Sequence, residues 1–234
     1  MKFISKYQFH LISCGIIALV IGFLFQKPLT GEYTFTGADS LSPSAVYQGI
    51  NSAEKEYGKY PLWLPWIFSG LPSVHSFQNI SDFYFPNFIM DILKSIGISG
   101  FWNYIFHFIL AGMGVFSILN YLGVGRYSAL FGGLSFALMP YLITMVVHGH
   151  GSQMMTTAWL PWIIWAILRL YDDVSIKKLG FLALIVGLQM QRAHVQIAYY
   201  SWLAAGLLII MLLFRIYGKP NNSPKWMIYV GFAF

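Results

Sequence analysis

The sequence predicts an all-α fold: a polytopic transmembrane helical bundle with a long structured extracytoplasmic first loop that contains interfacial helices. Three observations carry this. Of 234 residues, 57% are hydrophobic and only 9% charged, against about 25% charged in an average soluble domain. Several apolar runs approach the roughly 20 residues that a helix needs to cross a hydrocarbon core. And one connector, residues 27–100, is too long to be a bare link and must carry structure of its own. So apolar a chain would collapse, which excludes intrinsic disorder. Nucleic acid is excluded as a partner despite a net charge of +6, because the 14 Lys and Arg are scattered with no basic stripe. The single cysteine, Cys14, excludes an internal disulfide and any cysteine-rich metal cluster.

The elements follow in order. Lys2 and Lys6 precede an apolar stretch ending at Phe25. Gln26-Lys27-Pro28 offers no small-residue cleavage site, so the segment reads as an uncleaved anchor spanning residues 9–25. Leu11-Ile12-Ser13-Cys14 looks like a lipobox, but the apolar run follows the cysteine instead of preceding it, so lipidation is discounted. Further spans are expected at residues 101–122, 128–147 and 154–170. Residues 179–217 are apolar except for the QMQRAHVQ stretch. As one helix that block would be about 58 Å long and would hold Arg192 in lipid at a cost of at least ~2.5 kcal/mol. A hairpin, 179–191 and 195–215, puts Arg192 at a membrane surface instead. A last segment, 226–234, is incomplete, so residues 1–234 read as a single, truncated transmembrane domain.

Charge orients the bundle. Lys2, Lys6, Arg126, Arg169, Lys177, Lys178, Arg215, Lys219 and Lys225 fall on one side, which the positive-inside rule makes cytoplasmic, with the N-terminus inside. The opposite side holds residues 27–100 and six of the eight acids: Glu32, Asp39, Glu54, Glu56, Asp82 and Asp91. Within this loop, Ser42-Pro43 has the form of a helix cap followed by a first-turn proline. Pro61, Pro65 and Pro72 forbid a long helix around Trp63, Trp66 and Phe68, which suit an interface. A second amphipathic helix is expected over residues 87–96.

The ionisable residues gather on the outer side. Asp39 lies in TFTGADSLSP, and His75 and Asp82 in the loop's second half. His148 and His150 stand at the outer end of the third span. Arg192, His194 and Gln196 occupy the hairpin turn, where Arg192, Gln196 and Tyr199 share a face if the second arm extends upward as a helix. Ionisable groups at membrane depth are expensive enough to mark a candidate site. Each has a plainer reading: Asp39 as a helix cap, Arg192 as a headgroup anchor, His148 and His150 as hydrogen-bonding partners of helix ends. His107, inside an aromatic span, reads as a packed, hydrogen-bonded residue. A His-x-His pair without a third ligand is a weak metal signal, and no Asp-x-Asp occurs in the loop, so no metal or other cofactor is called for.

Four stretches carry a more specific likeness: GADSLSP, PLWLPWIFSGLPS, HGHGSQMMTTAWLPWI and QRAHVQIAYY. In that order they resemble the N-terminal part of the YfhO-like bacterial membrane proteins, which belong with the GT-C-type, polyprenyl-linked glycosyltransferases. The resemblance implies a GT-C-like architecture in the bacterial plasma membrane. It implies a polyprenyl-phosphate-type lipid-linked sugar donor and an envelope acceptor on the extracytoplasmic face. Asp39 matches the family's first-loop acid, which acts as general base or holds a metal. Arg192 would hold the donor phosphate, with His194, Gln196, His148, His150, His75 and Asp82 around the substrate. A transporter or flippase for an anionic lipid or solute, and a non-catalytic assembly subunit, are the alternatives.

Overall fold

The computed structural model describes residues 6–35, 37–73, 84–192 and 194–217; His75, Asp82 and the expected segment 226–234 lie outside them. The described chain is mostly helical, with a single two-stranded hairpin. Three helical stretches are long and apolar enough to cross a membrane: Trp102–Tyr121, Arg126–Val147 and Val195–Phe214. Gln8–Leu24 is apolar but shorter.

Helix α1 (Lys6–Leu24) is followed by a short α2 (Gln26–Thr30) and then by α3 (Ala38–Tyr57). The sequence places the cap of α3 at Ser42 and its first helical residue at Pro43; the structure starts it five residues earlier, with Gly37 as an extended N-cap and Asp39 in the first turn. A carboxylate there stabilises the positive end of the helix dipole, and Pro43 is left inside the helix. After α3, β1 (Trp63–Leu64) pairs antiparallel with β2 (Leu71–Pro72). Trp63, Trp66 and Phe68 are exposed along this hairpin. Helix α4 (Phe85–Ser95) follows Tyr84, with Pro86 in its first turn.

The bundle proper begins with α5 (Trp102–Tyr121), which packs along α6 (Arg126–Ala137). Their backbones meet where side chains are smallest: a Cβ on Gly133 would lie 2.7 Å from the Gly112 carbonyl oxygen. Close approach through small residues is how helices associate where no hydrophobic force separates them from lipid. The expected span 128–147 is interrupted at Leu138–Met139, and α7 (Pro140–Val147) resumes after it. Pro140 causes the break: it has no N–H to continue the ladder, and Met139 before it is extended at ψ 140°. The expected span 154–170 is likewise divided into α8 (Gly151–Thr157) and α9 (Leu160–Asp172), with Pro161 opening the latter. Helix α10 (Ile176–Gln191) ends at Arg192, and α11 (Val195–Tyr217) begins three residues later.

Two buried clusters share α5. Ile17, Ile21 and Phe25 of the N-terminal segment meet Ile105, Phe108 and Ala111 of α5, with Leu142 and Met154. On the other side, Trp159, Ile163 and Ile167 pack against Ile185, Ala205 and Leu212 of α10 and α11; Leu110 touches both clusters. Gln189, fully buried, ties three helices: its amide donates to the Thr156 carbonyl at 3.2 Å, and its carbonyl oxygen accepts from Trp202 Nε1 at 3.0 Å. A buried amide satisfied at both ends adds little net stability but fixes which helices meet.

Candidate functional site

The site stands at one end of the bundle, where the turn from α7 into α8, the turn from α10 into α11, the start of α5, the start of α3 and Tyr84 at the head of α4 converge. The opposite end is marked by Tyr121, the last residue of α5, whose hydroxyl donates to Asp172 at 2.6 Å, with the Leu168 carbonyl a second, longer acceptor for the same proton at 3.1 Å.

Asp39 and His150 meet directly. His150 Nε2 lies 2.9 Å from Asp39 Oδ2, with both side chains about half exposed. The contact is an ion pair when the imidazole is protonated and a neutral N–H···O bond otherwise. Gly37 makes it possible: a Cβ there would stand 2.8 Å from Gly149 N and closer still to the His148 carbonyl. The start of α3 thus lies flat on the α7–α8 turn, and only glycine fits. His148, two residues away, does something else: its Nδ1 donates to the Thr144 carbonyl at 2.9 Å, closing the end of α7.

Arg192 is the other focus. It is 5% exposed, held face-on over the Tyr84 ring at 4.9 Å, and its Nη1 reaches Asn87 Oδ1 at 3.4 Å. Its Nε has no hydrogen-bond partner, and no carboxylate pairs with it among the described residues. Burial pulls its pKa below the usual arginine value, yet so strong a base stays charged near neutral pH. A cation removed from water without a matched anion costs several kcal/mol. The sequence expectation that Arg192, Gln196 and Tyr199 share a helical face is not met, because α11 starts only at Val195. Arg192 turns inward, while Gln196 is exposed and donates to Tyr200 Oη at 3.0 Å.

Behind Arg192 lies a buried network. His107 Nδ1 donates to the Asn103 carbonyl at 2.7 Å, so in the neutral ring Nε2 is an acceptor, and the Tyr84 hydroxyl donates to it at 2.8 Å. Trp159 Nε1 donates to the same hydroxyl oxygen at 3.1 Å. Asn103 Nδ2 donates to Asn87 Oδ1 at 3.0 Å, which also faces Arg192. Burial raises the Tyr84 pKa well above its ordinary value, so the hydroxyl keeps its proton. His107 is packed and hydrogen-bonded as its aromatic surroundings suggested; Tyr84, Asn87, Asn103 and Trp159 were not singled out from the sequence.

His194 links the two foci. Its Nδ1 accepts from the Ile197 amide at 3.4 Å, capping α11. Burial lowers its pKa, against a hydrogen bond to its own backbone, and the electrostatic influence of nearby His150 lowers it further. Tyr104, within electrostatic reach of Arg192, packs its ring on Gly151, the residue after His150.

No family model, curated protein or solved structure matches the chain.

Among the described residues, no group of three or more His, Cys, Asp or Glu is placed to hold a metal ion. What the arrangement offers is an accessible carboxylate steadied by an imidazole, and a buried guanidinium with unused hydrogen-bonding capacity. The first can take a proton, and the second can receive an anion.

Proposed function

We propose that the protein is a membrane glycosyltransferase, or part of one, of the GT-C type that four of its sequence stretches resemble. It moves a sugar from a polyprenyl-phosphate-type donor to an envelope acceptor on the extracytoplasmic face of the bacterial plasma membrane, with its N-terminus in the cytoplasm. The observation that carries this reading is the buried, under-satisfied Arg192 at the same end of the bundle as the Asp39–His150 pair.

The chemistry divides between them. An acceptor hydroxyl gives its proton to Asp39 as its oxygen bonds to the anomeric carbon of the sugar. The bond from that carbon to the phosphate oxygen breaks, and its electron pair leaves with the phosphate. Arg192 supports that charge, since a guanidinium offers several N–H donors in one plane. His150 keeps one carboxylate oxygen of Asp39 occupied, leaving the other for the acceptor. His194 and Gln196 line the approach.

The test uses membranes containing the protein expressed from its full reading frame, with labelled polyprenyl-phosphate sugars. Asp39→Asn abolishes transfer while leaving lipid binding intact, and Arg192→Ala raises KM first. Undiminished transfer by Asp39→Asn removes the base from the scheme.

A second reading is a transporter or flippase for an anionic lipid or solute. The interruption of the Arg126–Val147 segment at Leu138–Met139 favours it, because discontinuous helices are common where transporters bind cargo. Movement of labelled lipid across the bilayer without sugar transfer would decide for it.

A further inference from the structure

At the end of the bundle opposite Arg192, a cavity of about 220 Å³ opens between the C-terminal half of α9 and the start of α10. Six residues line it: Trp165, Ala166, Arg169, Lys177, Lys178 and Phe181. Half of these are cations, and the rest are apolar. The Trp165 and Phe181 rings meet edge-on with centroids 5.9 Å apart, and the Arg169 guanidinium lies over the Trp165 face at 5.4 Å.

The three cations are not equivalent. Lys178 is committed: its Nζ donates to the Arg169 carbonyl at 2.9 Å and to the Asp173 carbonyl at 3.2 Å, and it pairs with the Asp173 carboxylate. Arg169 and Lys177 form no ion pair with a described carboxylate. Lys177 is also badly placed for its own helix. It stands in the first turn of α10, where a positive charge opposes the helix dipole. Structural stability therefore does not account for it.

Two cations with no described carboxylate partner, beside an aromatic, apolar wall, match a ligand with an anionic head and a hydrocarbon body. Trp165 stands one turn before Arg169 on α9 and Phe181 one turn after Lys177 on α10, so both rings lie on the apolar-helix side of the cations, with Phe181 exposed. Basic pockets between membrane helices recognise anionic headgroups in this way. We infer that Arg169 and Lys177, with Trp165 and Phe181, form a binding site for one anionic phospholipid, the phosphate at the two cations and an acyl chain along the two rings. The site is separate from the Asp39–Arg192 end and does not depend on the proposed transferase activity.

The experiment is native mass spectrometry of the purified protein in detergent, titrated with phosphatidylglycerol, with phosphatidylcholine of the same acyl chains, and with inorganic phosphate. Phosphatidylglycerol is expected to bind in preference to phosphatidylcholine. Arg169→Gln and Lys177→Gln should each weaken it about fivefold, and the two together about 30-fold, leaving phosphatidylcholine unchanged. Lys177→Glu, at an exposed position that cannot unfold the bundle, should weaken it more than Lys177→Gln. Equal binding of the two lipids, retention of phosphatidylglycerol within twofold by the double variant, or inorganic phosphate competing as strongly as the lipid would each overturn the inference.

Discussion

Removing one oxygen atom, by Tyr84→Phe, tests the buried network behind Arg192. The Tyr84 hydroxyl serves two buried partners, donating to His107 Nε2 at 2.8 Å and accepting from Trp159 Nε1 at 3.1 Å. His107 is 0% exposed and Trp159 6%, so water cannot replace what is lost. Each stranded buried group costs about 1–3 kcal/mol, which gives roughly 2–6 kcal/mol for the pair. The ring itself stays, and with it the face on which Arg192 rests. For a chain of this size each kcal/mol moves the unfolding midpoint by about 2–4 °C. Thermal unfolding in detergent, followed by helical circular dichroism, should therefore show Tm lower by at least about 4 °C. A second substitution checks the cause. In Tyr84→Phe with His107→Leu, the stranded acceptor no longer exists, so the combined loss should be smaller than the sum of the two. A Tyr84→Phe midpoint within about 1 °C of the parent, or strict additivity in the double variant, would refute the network.

Two further predictions concern the exposed part of the site. Gly37→Ala places a methyl group against the His148–Gly149 backbone. Relieving the contacts with the His148 carbonyl and Gly149 N needs a shift of about 1 Å, enough to stretch the 2.9 Å Asp39–His150 bond beyond hydrogen-bonding range. Transfer activity should fall at least about tenfold, and Asp39→Glu, whose longer side chain can follow the displaced helix, should restore part of it. Separately, His150→Gln removes a neighbour that electrostatically opposes protonation of His194, so the His194 titration midpoint should rise while staying under 6.5, because burial still opposes protonation. Histidine-selective NMR titration measures it; an unchanged midpoint would show that the two rings do not interact. Since the folded-state pKa is the lowered one, His194 favours the folded hairpin turn above pH 6.5. That contribution is lost as pH falls through the folded value.

The long apolar runs could be read from composition alone, and helices occupy them: Lys6–Leu24, Trp102–Tyr121 and Val195–Tyr217. Where a run was read as continuous and the structure divides it, a proline was present in each case, Pro140 and Pro161, and hydropathy outweighed it in the reading. The break at Arg192 was legible because charge, unlike proline, disturbs the hydropathy signal directly. At the site, the sequence singled out Asp39, His150, Arg192 and His194 but not how they would pair. The structure pairs Asp39 with His150 and sets Arg192 against Tyr84 and Asn87. That partition depends on a glycine contact at residue 37 and on which way the α10–α11 turn faces. Both are matters of three-dimensional closeness that spacing along a chain does not encode. Tyr84 and Asn103 escaped notice for a related reason: an uncharged polar residue among aromatics carries no sequence signal until its partners are known.

The position of α5 between the two buried clusters has a consequence in time. A chain made from its N-terminus completes α1, α5, α6 and α7 first, so Ile17, Phe108 and Leu142 can pack before the second cluster has all its members. The other flank of α5 must wait until Ile185, Ala205 and Leu212 have been synthesised. Arg192 arrives between those last two helices, by which point Tyr84, Asn87 and Asn103 are already part of the nascent chain. Arg192 is thus delivered late, onto a seat built beforehand.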